Sequence, residues 1–116
     1  MNWKGNTALK TYNVIIEEPA QRDLIGIFDY IAFTLTEPKV AERLVKRVRK
    51  SIESLSCMPK RFAIYDNDFC QLHGIRRMNV GNYAVFYKIE SQIVSILTVL
   101  YGGRDIDAIL ELTLEV

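Results

Sequence analysis

No apolar run in this 116-residue chain approaches the roughly 20 residues that cross a bilayer. Histidine and tryptophan occur once each, cysteine twice and proline three times. Each shortage closes off a class of function. Cys57 and Cys70 form no CxxC pair, so both read as reduced thiols. Asp66 and Asp68 are two carboxylates without further ligands, which make a poor metal site and a better solvated loop. No Gly-rich phosphate loop, GxSxG or HExxH is present. No metal and no cofactor is therefore expected. Charge of one sign is also lacking: 15 Lys and Arg stand against 14 Asp and Glu, a net of +1. Bulk charge thus makes no case for nucleic acid, and any such case rests on local clustering. The polar start, Met1 to Lys10, lacks the apolar core of a signal peptide. A cytoplasmic protein with no membrane partner is the simplest expectation.

The length suits one domain spanning 1–116. Residues 1–11 are polar and aperiodic, a loose lead-in. Tyr12 to Glu17 is rich in β-branched residues and reads as a strand. Pro19 suits the first turn of a helix, and Ala20, Leu24, Ile27, Phe28, Ile31 and Leu35 supply its apolar stripe. Glu37-Pro38 ends it, because the residue before proline avoids the α region. Pro38 opens a second helix with the stripe Ala41, Leu44, Val48, Ile52 and Leu55, stopped by Pro59. So short a link predicts an antiparallel helical hairpin. Residues 60–73 read as a loop with a short strand near Phe62 to Tyr65.

A β-meander follows. Arg76 onward and Tyr83 to Ile89 flank a Gly81-Asn82 turn. Tyr83, Val85, Tyr87 and Ile89 fall on one face, and Ala84, Phe86 and Lys88 on the other. Ile93 to Leu100 is apolar on both faces apart from Ser95 and Thr98, as in a strand central to a sheet. The hairpin covers one side of that sheet. The other side, with Phe86, Val94, Ile96 and Leu100, is expected to be a partner surface. A segment of a partner protein, a second copy or the chain's own tail are its candidate covers, so a homo-oligomer stays open. The tail, 105–116, is ambiguous: Asp105 suits a helix cap, yet Leu110, Leu112, Leu114 and Val116 alternate like a strand. The fold class is α+β, in the order β-α-α-β-β-β.

Two basic sets stand out. Lys39, Arg43, Lys46, Arg47 and Lys50 share one face of the second helix. They read as a solvated face supported by a Glu42–Lys46 pair, or as a docking stripe for an acidic partner. Lys60, Arg61, His73, Arg76, Arg77, Lys88 and Arg104, with Tyr83, Tyr87 and Tyr101, cluster around the loop and meander. Scattered surface charge, phosphate clamping with base stacking, and a protein hot spot all fit that mixture. His73 lacks a carboxylate or nucleophile partner in any recognisable motif.

The series Gly74-Ile75-Arg76-Arg77, Asn82-Tyr83-x-x-Phe86-Tyr87 and Leu100-Tyr101-Gly102-Gly103-Arg104-Asp105 resembles the C-terminal half of the RelE/ParE toxins of bacterial type II toxin–antitoxin systems. Ala20-x-x-Asp23-Leu24-x-x-Ile27-x-x-Tyr30-Ile31, Pro38-x-x-Ala41 and Ile52-x-x-Leu55-x-x-x-Pro59 extend the resemblance over residues 12–105. It implies a helical hairpin on a small antiparallel sheet and a growth-inhibiting toxin neutralised by a cognate antitoxin. RelE-like members cleave mRNA on the ribosome without metal, and ParE-like members inhibit DNA gyrase. RelE-like chains commonly carry arginine after the tyrosine that begins the second meander strand. Here that residue is Ala84, and Leu110 stands where an assisting tyrosine is expected. The resemblance is therefore more ParE-like, and no catalytic residue is assigned. Under the alternative mRNA-interferase reading, Arg77, Arg104, Tyr87 and Arg61 would carry cleavage; a member that has lost toxicity and only forms complexes is the third reading. Target binding is expected at Lys60, Arg61, His73, Arg76, Arg77, Tyr83, Tyr87, Tyr101 and Arg104, with gyrase, or ribosome and mRNA, as the target.

Overall fold

Asn13–Ile16 (β1), Arg76–Val80 (β2), Tyr83–Glu90 (β3) and Ile93–Tyr101 (β4) form one sheet in the order β1-β4-β3-β2. The computed structural model describes residues 11–114, so all of the expected lead-in except Thr11 lies outside the described residues. The meander pairs antiparallel as expected, but β1 runs parallel to β4. The α+β architecture therefore stands with a mixed sheet. A parallel pair needs a crossover connection, and the helical hairpin together with the meander supplies it.

The hairpin consists of Glu18–Asp29 (α1), a π-helical turn at Tyr30–Thr34, and Pro38–Glu53 (α2). Pro19 and Pro38 lie in the first turns, where their missing N–H costs nothing. The π turn closes by an i→i−5 bond, Leu35 N–H to Tyr30 O at 3.0 Å. It leaves Tyr30 and Phe33 exposed at the tip. Ala20 and Leu24 of α1 and Val48 and Ile52 of α2 bury against Val85, Tyr87, Val94, Ile96 and Val99.

A second layer covers the opposite face. Asp68–His73 (α3) and Ile106–Thr113 (α4) pack Cys70, Ile106 and Leu110 on Ala84, Phe86 and Leu100. This corrects the expected partner surface. Phe86, Val94, Ile96 and Leu100 are all buried by the chain's own elements. Val94 and Ile96 face the hairpin, whereas Phe86 and Leu100 face α4. The tail resolves as a helix because Ile106 and Leu110, at i and i+4, reach the core together, while Leu112 points to solvent. Asp105 caps it, accepting from Ala108 N–H. The short helix α3 also replaces expected loop. Asn67 caps it by accepting from Cys70 N–H at 2.7 Å, and Gly74 ends it at φ +69°, a conformation that favours glycine.

One irregularity organises β4. Tyr87 pairs Ile96 but Phe86 pairs Thr98, so Leu97 is an extra residue, a β-bulge. Asp23 of α1 anchors it. Its Oδ2 accepts from the Thr98 hydroxyl at 2.5 Å and from Val99 N–H at 2.9 Å. A backbone N–H left without a partner here costs about 1–3 kcal/mol, and bonds to a charged group each contribute about 1.5–3 kcal/mol.

Two measurements test this account. Asp23→Ala should lower stability by about 2–4 kcal/mol in urea denaturation; a loss within about 0.5 kcal/mol, the size of a neutral surface change, would sink the tie. Burial, with Asp107 adding to it, pushes the Cys70 thiol from 9.0 up to about 11. A raised pKa favours the folded state fully below 9.0, and that contribution fades as pH climbs toward about 11. Stability should therefore drop across that window, and more shallowly in Cys70→Ala.

Candidate functional site

At one end of the sheet two glycine turns meet. Gly102 N–H donates to Asn82 O at 2.8 Å, joining the Gly81-Asn82 turn to the Gly102-Gly103 turn. Gly102 permits that approach, since a Cβ there would stand 3.2 Å from Asn82 O and 3.4 Å from Arg77 Nη2. Tyr83 and Tyr101, paired across β3 and β4, stack edge to face with centroids 5.7 Å apart. The two rings form the wall between two cavities. One, of about 330 Å³, is lined by Arg77, Asn79 and both turns. The other is a cleft of about 680 Å³ between α1 and the sheet, lined by Arg22, Tyr30, Ile31, Leu35 and Arg104.

Strand alternation sets the arginines apart. Arg77 lies on the α4 face, its guanidinium 5.3 Å from the Tyr65 ring and 5.8 Å from the Phe86 ring. Its Nε donates to Asn79 Oδ1 at 2.8 Å. Neither Arg77 nor Arg104 is in an ion pair; among the described residues only Arg22–Glu18 and Lys88–Glu90 form. The expected Glu42–Lys46 pair is likewise absent among the described residues. Burial pushes the Tyr83 phenol above its ordinary value, and Tyr101 and Tyr30 add to this. Tyr83 therefore stays a neutral hydrogen-bond donor near pH 7 rather than a base. Two arginines that form no ion pair among the described residues, beside three tyrosines, suit recognition of an anionic or amphipathic surface.

Of the expected target-binding residues, the structure brings together Arg77, Tyr83, Tyr101 and Arg104. It assigns others to the fold. Arg61 caps the C-terminal end of α2, donating to Cys57 O at 2.6 Å and to Ser54 Oγ at 2.8 Å. Arg76 donates to Phe62 O at 2.7 Å and to Lys60 O at 3.3 Å, fastening the loop before α3. Tyr87 is fully buried and donates to Pro59 O at 2.6 Å. Lys60 is exposed. His73 stacks on Phe69 at 4.6 Å and lines a separate small cavity with Lys88. Arg22 and Tyr30 were missed as site residues, because nothing along the chain ties α1 to the last strand. The motif containing Asp23 was visible, but its bond to the bulge was not.

The family profile described as "ParE toxin of type II toxin-antitoxin system, parDE" matches residues 14–106. No curated protein sequence matches the chain. Among solved structures, it is similar to a chain of the chromosomal ParDE toxin–antitoxin system from P. aeruginosa. There the TM-score is 0.67 at 16% identity, over 79% of this chain and 97% of the other. It is also similar to a chain of the toxin–antitoxin complex RelBE2 from Mycobacterium tuberculosis. That TM-score is 0.55 at 22% identity, over 78% and 91%. At these identities the likeness is one of fold.

The two neighbouring arginines make a controlled comparison. Arg77→Ala should leave the unfolding free energy within about 1 kcal/mol, whereas Arg76→Ala should lower it by about 1–3 kcal/mol by orphaning the loop carbonyls. Equal losses in chemical denaturation would show that both serve the fold.

Proposed function

Because this chain belongs to the ParE toxin family of type II toxin–antitoxin systems, we propose that it arrests growth by binding DNA gyrase and is held inactive by a cognate antitoxin. The observation that carries the choice of mechanism is the burial of two positions. Ala84 stands where RNA-cleaving relatives commonly place a phosphate-binding arginine, and it is fully buried beneath α4. Leu110 stands where an assisting tyrosine is expected, and it too is fully buried. Both places are core here, so neither has access to a substrate. What faces solvent instead is the sheet end, with Arg77, Arg104, Tyr30, Tyr83 and Tyr101. Arginine and tyrosine are the residues that dominate protein hot spots.

Among the described residues no acid–base pair converges on this end. Asp23, the carboxylate nearest the cleft, is engaged with Thr98 and Val99. His73 lines a different cavity. Binding, rather than bond cleavage, is what this set of side chains supports. Cleavage of RNA by the 2′-hydroxyl needs preorganised charge at the phosphate, and losing one such donor costs on the order of 10²–10³ in rate.

The purified chain should inhibit gyrase-catalysed supercoiling and leave transcripts intact in a translating extract. The double variant Arg77→Ala/Arg104→Ala should weaken inhibition about tenfold or more, a typical hot-spot effect. Codon-phased transcript ends that vanish in this variant would overturn the gyrase reading in favour of an mRNA interferase.

A further inference from the structure

Charge is balanced over the chain but not along it. Helix α2 carries six cations, Lys39, Arg43, Lys46, Arg47, Arg49 and Lys50, against two carboxylates, Glu42 and Glu53. The rest of the chain has nine cations against twelve carboxylates. All six cations of α2 are exposed. None forms an ion pair among the described residues. With 3.6 residues per turn, Lys39, Arg43, Lys46 and Lys50 fall within about 60° of arc and extend about 16 Å along the axis.

This stripe borders a shallow groove of about 590 Å³, where Val40 and Leu44 lie among the stems of Arg43, Lys46, Arg47 and Lys50. Val40 is 39% exposed. A nucleic-acid backbone would use the cations and gain nothing from the apolar floor. A peptide with both apolar and acidic side chains uses both. We propose that this groove docks an acidic amphipathic segment of a partner protein. Its apolar residues would lie on Val40 and Leu44, and its carboxylates against Arg43, Lys46, Arg47 and Lys50.

The groove leads to the sheet end. Arg47 reaches over the β2–β3 turn, its Nη1 3.4 Å from where a Cβ of Gly81 would stand. Gly81 in turn lines the cavity that holds Arg77. A segment running along α2 past Arg47 therefore arrives at the rim of the Tyr–Arg site. Assigning that segment to the antitoxin rests on the toxin reading above, and it explains neutralisation as coverage of the target-binding end.

The test uses the purified chain and a designed helical peptide, with leucines one turn apart on one face and glutamates beside them. Controls are the same peptide with its leucines shuffled and a short random DNA duplex. The designed peptide should bind and should shift the Val40 and Leu44 methyl resonances. Affinity should fall about tenfold or more in Arg43→Glu/Lys50→Glu and recover when the peptide's glutamates become lysines. The lysine peptide also controls for misfolding, since an unfolded variant would bind neither form. Equal binding of the shuffled peptide, tighter binding of the duplex, no binding of the designed peptide, or indifference to the double reversal would each overturn the proposal. A gyrase assay plays no part in this readout. Peptide binding by a chain that spares gyrase would leave the docking site standing and remove only its link to a gyrase toxin.

Discussion

The rest of the structure depends on the carboxylate of Asp23. It fixes the bulge at Leu97, and the bulge decides which side of the sheet each later residue of β4 faces. Before it, Val94 and Ile96 pack on the helical hairpin; after it, Val99 does, and Tyr101 pairs with Tyr83. A strict alternation would carry Tyr101 to the α4 face, since a one-residue slip reverses every side chain. The Tyr83–Tyr101 wall, and with it the boundary between the two cavities, thus follows from one helix residue bonding to Thr98 and Val99. A fold-stabilising contact and the placement of the candidate site are the same interaction.

Alternation also explains why adjacent arginines differ in role. Arg76 pairs with Tyr87 on the hairpin side, where it meets the carbonyls of Lys60 and Phe62. Arg77 pairs with Phe86 on the other side, runs over aromatic rings and ends beside Gly102. An arginine whose N–H groups are taken by the carbonyls of a neighbouring loop is part of the scaffold. One whose contacts are ring faces and a single amide keeps donors for a partner.

Much of the architecture was legible because it is local. Pro19, Pro38 and Pro59 punctuate the hairpin, and the apolar spacing from Ala20 to Ile31 and from Ala41 to Ile52 has a helical period. The period of two through Tyr83–Ile89 separates the faces that the structure separates. What failed was non-local. The run Ile93–Tyr101 is apolar on both faces apart from Ser95 and Thr98, so its pattern holds no trace of a bulge. Leu110, Leu112 and Leu114 alternate like a strand, and only a docking surface made by Phe86 and Leu100 selects the helix. Arg76 and Tyr87 read as surface binders because composition cannot show that a loop carbonyl 14 to 28 residues away is waiting for a donor. Arg61 folds back on nearer acceptors, at Ser54 and Cys57, that only the turn after α2 brings to it. The same blindness hid Arg22 and Tyr30.

Coverage of both faces narrows where a partner can act. With the hairpin on one side and α3 and α4 on the other, the central strands offer no open face. What stays accessible is the sheet edges, the element ends and the outer helix faces. The sheet end collects Arg77, Arg104 and the tyrosines because two glycine turns let backbone and guanidinium approach closely. The outer face of α2 collects cations because Ala41, Val48 and Ile52 turn the opposite face to the core, and of the residues lining the groove only Val40 and Leu44 are apolar. The two surfaces meet at Gly81, where a side chain would strain a backbone at φ +59° and Arg47 lies within contact distance. A chain of near-zero net charge thus presents one strongly cationic helix and one aromatic–arginine end, joined at a turn that only a glycine fits comfortably. A partner on the first is placed to control access to the second.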